Sequence, residues 1–160
     1  MSESTTELCQ QLAQLLRAKK QRLVTAESCT GGLVATLCTD LAGSSDWFEC
    51  GFVTYSNTAK MRDLGVPAAV LLQYGAVSEA TVRAMVAGAA RYGHVAVAIS
   101  GIAGPGGAVE GKPVGTVWLA CGHSEQQLTE THCFGGDRDA VRQQSAIAAL
   151  KLIIRWINTQ

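Results

Sequence analysis

The sequence predicts an α/β domain in layers, with a mixed β-sheet flanked by helices. Apolar stretches at helical spacing alternate with short β-rich runs along the whole chain. Glycines, prolines and cap residues punctuate the junctions. The last two β-rich runs are separated only by a short polar turn, whereas helices separate the earlier ones, so the sheet is expected to be mixed. A chain of 160 residues fits one compact domain, and a single domain spanning 1–160 is expected.

Ser4 and Glu7 have capping-box spacing, and Leu8, Leu12, Leu15 and Leu16 follow at helical intervals, predicting a first helix that ends in the basic turn at Lys19-Lys20. Residues 22–26 (RLVTA) read as a short strand that runs into Glu27-Ser28-Cys29-Thr30-Gly31-Gly32, with helical character over 33–41. Residues 51–55 (GFVTY) read as a second strand, followed by a helix carrying Ala59, Lys60, Met61 and Leu64. Pro67 can open another short helix, because proline is tolerated in a first turn. Ser78 is placed to cap a helix with Val82, Met85, Val86 and Ala89. Residues 94–100 (HVAVAIS) form an apolar strand that breaks into a glycine-rich loop over 101–111. Residues 114–120 and 128–134 are the closing pair of strands, and Asp137 caps a last helix with Val141, Ile147, Leu150 and Ile154 on its apolar face.

Composition excludes several functions. The chain is 48% hydrophobic and 16% charged, with 13 acidic and 13 basic residues, so no overall field draws nucleic acid or an anionic membrane. Neither partner is expected. The start, Met1-Ser2-Glu3-Ser4, lacks the basic and apolar segments of a secretory signal, and no apolar run is long enough to span a bilayer. A cytoplasmic location is expected. The six cysteines, at positions 9, 29, 38, 50, 121 and 133, are expected to be reduced thiols, without CxxC spacing. His94, His123 and His132 are isolated from one another, so no metal and no cofactor are expected.

Three loops carry candidate chemistry. Residues 25–32 (TAESCTGG) lie at a strand-to-helix turn, where ligands of open α/β sheets usually bind. A helix start offers free N–H groups and partial positive charge to an oxyanion or phosphate. Ser28 and Cys29 are adjacent, and spacing alone does not choose between a serine nucleophile, a thiolate or a plain helix cap. Residues 55–60 (YSNTAK) offer Lys60, which can deprotonate a serine if it is desolvated, and Tyr55, which can relay a proton or hold the lysine. A solvated lysine beside a core tyrosine is the plainer alternative. Residues 100–107 (SGIAGPGG) can form an anion-binding nest but match neither a Walker A loop nor GxGxxG. Arg138 and Arg142, one helical turn apart, can grip a phosphate or simply be solvated.

Taken together these stretches resemble the CinA C-terminal-domain family. The likeness is carried by TAESCTGG (25–32), AGSSDWFECGFVTYSNTAK (42–60), GAVSE (75–79), SGIAGPGG (100–107), KPVGTVW (112–118) and GGDRDAVR (135–142), in the family's order. It extends from about Thr25 to the last helix and is similar to the stand-alone members, which hydrolyse the carboxamide of nicotinamide mononucleotide to nicotinate mononucleotide and ammonia. The resemblance implies Ser28 as nucleophile with Tyr55 and Lys60 as its partners. It implies a small nucleotide substrate and a homodimer. The candidate substrate contacts are Thr30, Gly31, Gly32 and Asn57 near the reacting centre. Ser100, Gly101, Gly104, Arg138 and Arg142 are the candidates for the phosphate. Backbone N–H groups over 29–31 are the expected oxyanion donors. One departure is Gly106, where members often have an aspartate (GPDGG).

Overall fold

The computed structural model describes residues 4–160. The elements run α1 (Thr5–Lys19), β1 (Leu23–Glu27), α2 (Leu33–Thr39), β2 (Phe48–Val53), α3 (Asn57–Leu64), α4 (Ala68–Tyr74), α5 (Glu79–Ala89), β3 (Val95–Gly101), β4 (Thr116–Gly122), β5 (Gln127–Cys133) and α6 (Arg138–Asn158). The strands form one sheet in the order β2-β1-β3-β4-β5. The first three are parallel, and the β3/β4 and β4/β5 pairs are antiparallel. The sheet is therefore mixed, as expected.

The caps explain where helices begin. The Ser4 hydroxyl accepts the Glu7 N–H at 3.1 Å while the Glu7 carboxylate accepts the Ser4 N–H at 2.8 Å, completing the capping box of α1. Ser78 and Asp137 cap α5 and α6 in the same way, each accepting the N–H three residues on. Three strands lie within one residue of the sequence expectation, and two differ by more. β2 lies earlier than 51–55 because its pairing with β1 begins at Phe48 and the chain leaves the sheet before Tyr55, where Ser56 caps α3. β4 lies later than 114–120 because Val114 and Gly115 belong to the turn after Pro113. The helix expected over 33–41 stops at Thr39.

Alternation along the strands divides the core. Leu23, Val95, Val97, Ile99, Val117, Leu119 and Cys121 face α1, α2 and α6, while Val24, Ala26, Ala96, Ala98 and Ala120 face α3, α4 and α5. The second face is built largely of alanine, which lets α5 lie close against the sheet. Gly88 of α5 sits so near the end of α3 that a Cβ there would overlap the Leu64 carbonyl. We expect Gly88→Ala to destabilise the fold by about 1–3 kcal/mol, read as a lower urea midpoint at unchanged slope.

The parallel strands bring three chain segments to one end of the sheet. Ser28 follows β1, Thr54 and Tyr55 follow β2, and the glycine-rich loop follows β3. Because β1 lies between β2 and β3, Ser28 has a neighbour on each side.

Candidate active site

Lys60 is one turn into α3, and its side chain runs back toward the helix start, the direction a helical side chain takes. It is 1% exposed. Its Nζ lies 2.9 Å from Ser28 Oγ, 2.8 Å from the Thr54 carbonyl oxygen and 3.2 Å from that of Tyr55. None of these three partners is a carboxylate. Burial therefore acts almost unopposed and brings the Lys60 pKa down from 10.5 to about 8. Near neutral pH an appreciable fraction of such an amine is uncharged and able to take a proton.

Ser28 is 8% exposed, and its N–H continues the β1/β3 ladder by donating to Ile99 O at 3.0 Å. Cys29, its neighbour, is buried, and burial pushes its thiol up to about 11. A thiol so displaced is a poor source of thiolate. Geometry and acidity both distinguish Ser28 from Cys29.

Two charged residues shape the turn after Ser28. Glu27, fully buried at the end of β1, accepts the Val34 N–H at 2.9 Å and the Ala35 N–H at 3.1 Å. A carboxylate at a helix N-terminus is stabilised there, and this one fastens α2 to β1. Arg142, reaching from α6, donates to the carbonyl oxygens of Cys29 at 3.1 Å and Thr30 at 3.0 Å. With those carbonyls turned toward Arg142, the peptide planes fix where the Thr30 and Gly31 N–H groups can point. Among the described residues the Cys29 and Thr30 N–H groups have no hydrogen-bond partner, whereas Gly31 N–H donates to Ser28 O at 3.0 Å. Gly31 is therefore taken out of the expected oxyanion set by its own turn.

A cleft of about 310 Å³ opens over Ser28 and Lys60. The glycine-rich loop forms one wall, and Ala76 and Val77 form part of another. Arg138 lies at its margin, donating to Gly104 O at 2.8 Å and to the Tyr55 hydroxyl at 2.9 Å. Its partners are neutral oxygens, so its charge is not neutralised by a carboxylate among the described residues. Tyr55 is 59% exposed. The tyrosine touches Lys60 through its main-chain carbonyl, and its hydroxyl is engaged with Arg138 rather than with the lysine.

Ser28, Tyr55, Lys60, Ser100, Gly101, Gly104 and Arg138 thus line one cleft. The other candidates are placed differently. Thr30 is fully buried, and Gly31 and Gly32 form the turn into α2. Asn57 opens α3 and borders an apolar depression with Met61, Ala68 and Leu72. Arg142 holds main-chain carbonyls and is not a wall of the cleft. The sequence places Glu27 in the first loop without assigning it a role, and it gives no sign of the Thr54 carbonyl's part. The GAVSE motif, by contrast, was a signal for Ala76 and Val77. Gly106 also lines the cleft, and a Cβ there would meet nothing within 4 Å, so the missing aspartate leaves open space.

Comparison with known proteins agrees with this architecture. Residues 5–157 match the model of the CinA C-terminal domain. The chain is 52% identical over 150 residues to the nicotinamide-nucleotide amidohydrolase PncC of Escherichia coli (strain K12), covering 92% of this chain and 91% of that protein. It is 52% identical over 147 residues to a protein of the same name from Pseudomonas putida, covering 91% and 92%. The crystal structure of a CinA superfamily protein from Klebsiella pneumoniae superposes with a TM-score of 0.94 at 38% identity, covering 99% of this chain and 100% of that one. One match spans nearly the whole chain and the other preserves its fold, and on that ground the chain belongs to the CinA C-terminal domain family.

Proposed function

We propose that the protein hydrolyses the carboxamide of nicotinamide mononucleotide, giving nicotinate mononucleotide and ammonia, with Ser28 as nucleophile and Lys60 as base. The observation that carries this reading is the 2.9 Å contact between a buried, pKa-lowered Lys60 amine and the Ser28 hydroxyl. The name of relatives about half identical to it supports the substrate.

Neutral Lys60 donates its two N–H bonds to the Thr54 and Tyr55 carbonyls, which leaves the nitrogen lone pair aimed at Ser28 Oγ. As the Oγ–carbon bond forms, the hydroxyl proton passes to Nζ. The carbonyl oxygen gains negative charge and meets the Cys29 and Thr30 N–H groups, a contribution of about 3–4 kcal/mol for a donor of this kind. The Lys60 ammonium then protonates the nitrogen, the C–N bond breaks, and ammonia leaves. Water attacks the resulting ester, gives its proton to Lys60, and the freed Ser28 oxygen takes it back.

The positive pyridinium ring makes the carboxamide more electrophilic, which favours the nucleotide over free nicotinamide. Arg138, with its charge facing only neutral oxygens, is the phosphate contact, while Tyr55 holds the guanidinium at the cleft margin. Ammonia release should therefore be greatest for the mononucleotide, lower for nicotinamide riboside and lowest for nicotinamide. No ammonia from any of the three would contradict the reading. Arg138→Ala is expected to raise KM for the mononucleotide by about 10–100-fold, the worth of a charge-assisted contact, while leaving riboside turnover nearly unchanged.

A further inference from the structure

We infer that Ser100 receives the carboxamide nitrogen in the reacting centre and so selects an amide over other acyl groups; this rests on the function proposed above. The β1/β3 register pairs Ala26 with Ala98 and Glu27 with Ile99, so the next step sets Ser28 beside Ser100. Ala26 and Ala98 both face α5, and two residues on, Ser28 and Ser100 return to that same face. Lys60 approaches Ser28 from the opposite side, through the end of β2. Ser28 thus lies between an amine on its β2 side and a second hydroxyl on its β3 side.

Ser100 is 1% exposed yet lines the cleft. Three other buried hydroxyls are tied to main-chain carbonyls: Ser78 and Thr81 to Gly75 O, and Ser145 to Val141 O. Among the described residues the Ser100 hydroxyl has no such partner, and Ser100 is one of the residues that line the cleft. Thr25, Thr30 and Thr54 also have buried hydroxyls without partners, but they do not line the cleft. A nearly buried hydroxyl is costly to leave unpaired, so what enters the cleft is expected to satisfy it.

The substrate has two polar atoms on the carbon that Ser28 attacks. The oxygen is directed to the Cys29 and Thr30 N–H groups beyond the strand end. Before the reaction Lys60 has both N–H bonds on carbonyls and its lone pair on Ser28, so it accepts no N–H bond from the bound amide. The nitrogen sits above Ser28 Oγ, with its lone pair toward Lys60 for the later proton transfer and one N–H bond toward the β3 side, where Ser100 Oγ accepts it. This contact exists for an amide and not for an ester of the same nucleotide, and no proton transfer is assigned to it.

The test compares wild type with Ser100→Ala on two substrates, nicotinamide mononucleotide and the methyl ester of nicotinate mononucleotide, following ammonia and methanol release. The expected result is a fall of about 10–100-fold in kcat/KM for the amide, with the ester little changed. An equal fall on both substrates would mean a structural role and overturn the assignment, as would an unchanged amide rate. If the wild type released ammonia but the Ser100 variant failed either criterion, only this inference would fall. If the folded wild type cleaved neither substrate, the proposed function would fall and take the inference with it.

Discussion

Ser28→Ala is expected to lower kcat for nicotinamide mononucleotide by at least about 10⁴-fold while changing KM little, because the lost group bonds to substrate during the reaction and not on binding. Cys29→Ala provides the contrast. The Cys29 thiol is buried and pushed up to about 11, and no base touches it. Its removal should leave most of the activity and alter chiefly the packing beside the turn. Ammonia release by both variants, each checked for an unchanged melting transition, measures the difference. A Cys29 variant as inactive as the Ser28 variant would move the nucleophile one residue along.

Lys60→Met should lower kcat by about 10³-fold, within the range general bases contribute, and should remove a pH dependence as well. With its pKa brought down to about 8 by burial, the amine becomes competent as pH rises, so wild-type kcat/KM should climb through about pH 8 and level off above it. The same shift affects stability with a definite sign. Folding lowers the lysine pKa from 10.5 to about 8, so between those values the unfolded chain binds more protons. Wild type should therefore gain stability relative to Lys60→Met as pH rises from about 8 toward 10.5, by up to about 3 kcal/mol. Paired denaturation curves at several pH values check this, and a difference that did not change with pH would mean the lysine is not desolvated.

Helix starts were the most legible part of the sequence. Ser4 with Glu7, Ser78 and Asp137 each cap the helix their spacing predicts, because a cap is a local hydrogen bond between residues three apart. Strand limits were less legible. Whether Tyr55 belongs to β2 depends on where β1 ends beside it, and Thr54 N–H makes the last bond, to Glu27 O at 2.9 Å. The site divides in the same way. Ser28, Tyr55 and Lys60 could be named from their motifs, but that Tyr55 meets the lysine through its carbonyl follows from chain direction after the strand. Arg138 and Arg142 look interchangeable on one helix face. Only the packing of α6 sends the first to the cleft margin and the second onto the Cys29 and Thr30 carbonyls. Ser100 beside Ser28 is a matter of register between strands separated by roughly seventy residues of chain, which no local pattern records.

The central claim is that Ser28 forms a covalent ester with the substrate acyl group. Mixing the enzyme with nicotinamide mononucleotide, quenching in acid during turnover and mapping peptide masses tests it most directly. The account predicts a nicotinoyl-nucleotide adduct on Ser28, absent from Ser28→Ala. An adduct on Cys29, or full turnover by Ser28→Ala with no adduct anywhere, would contradict it.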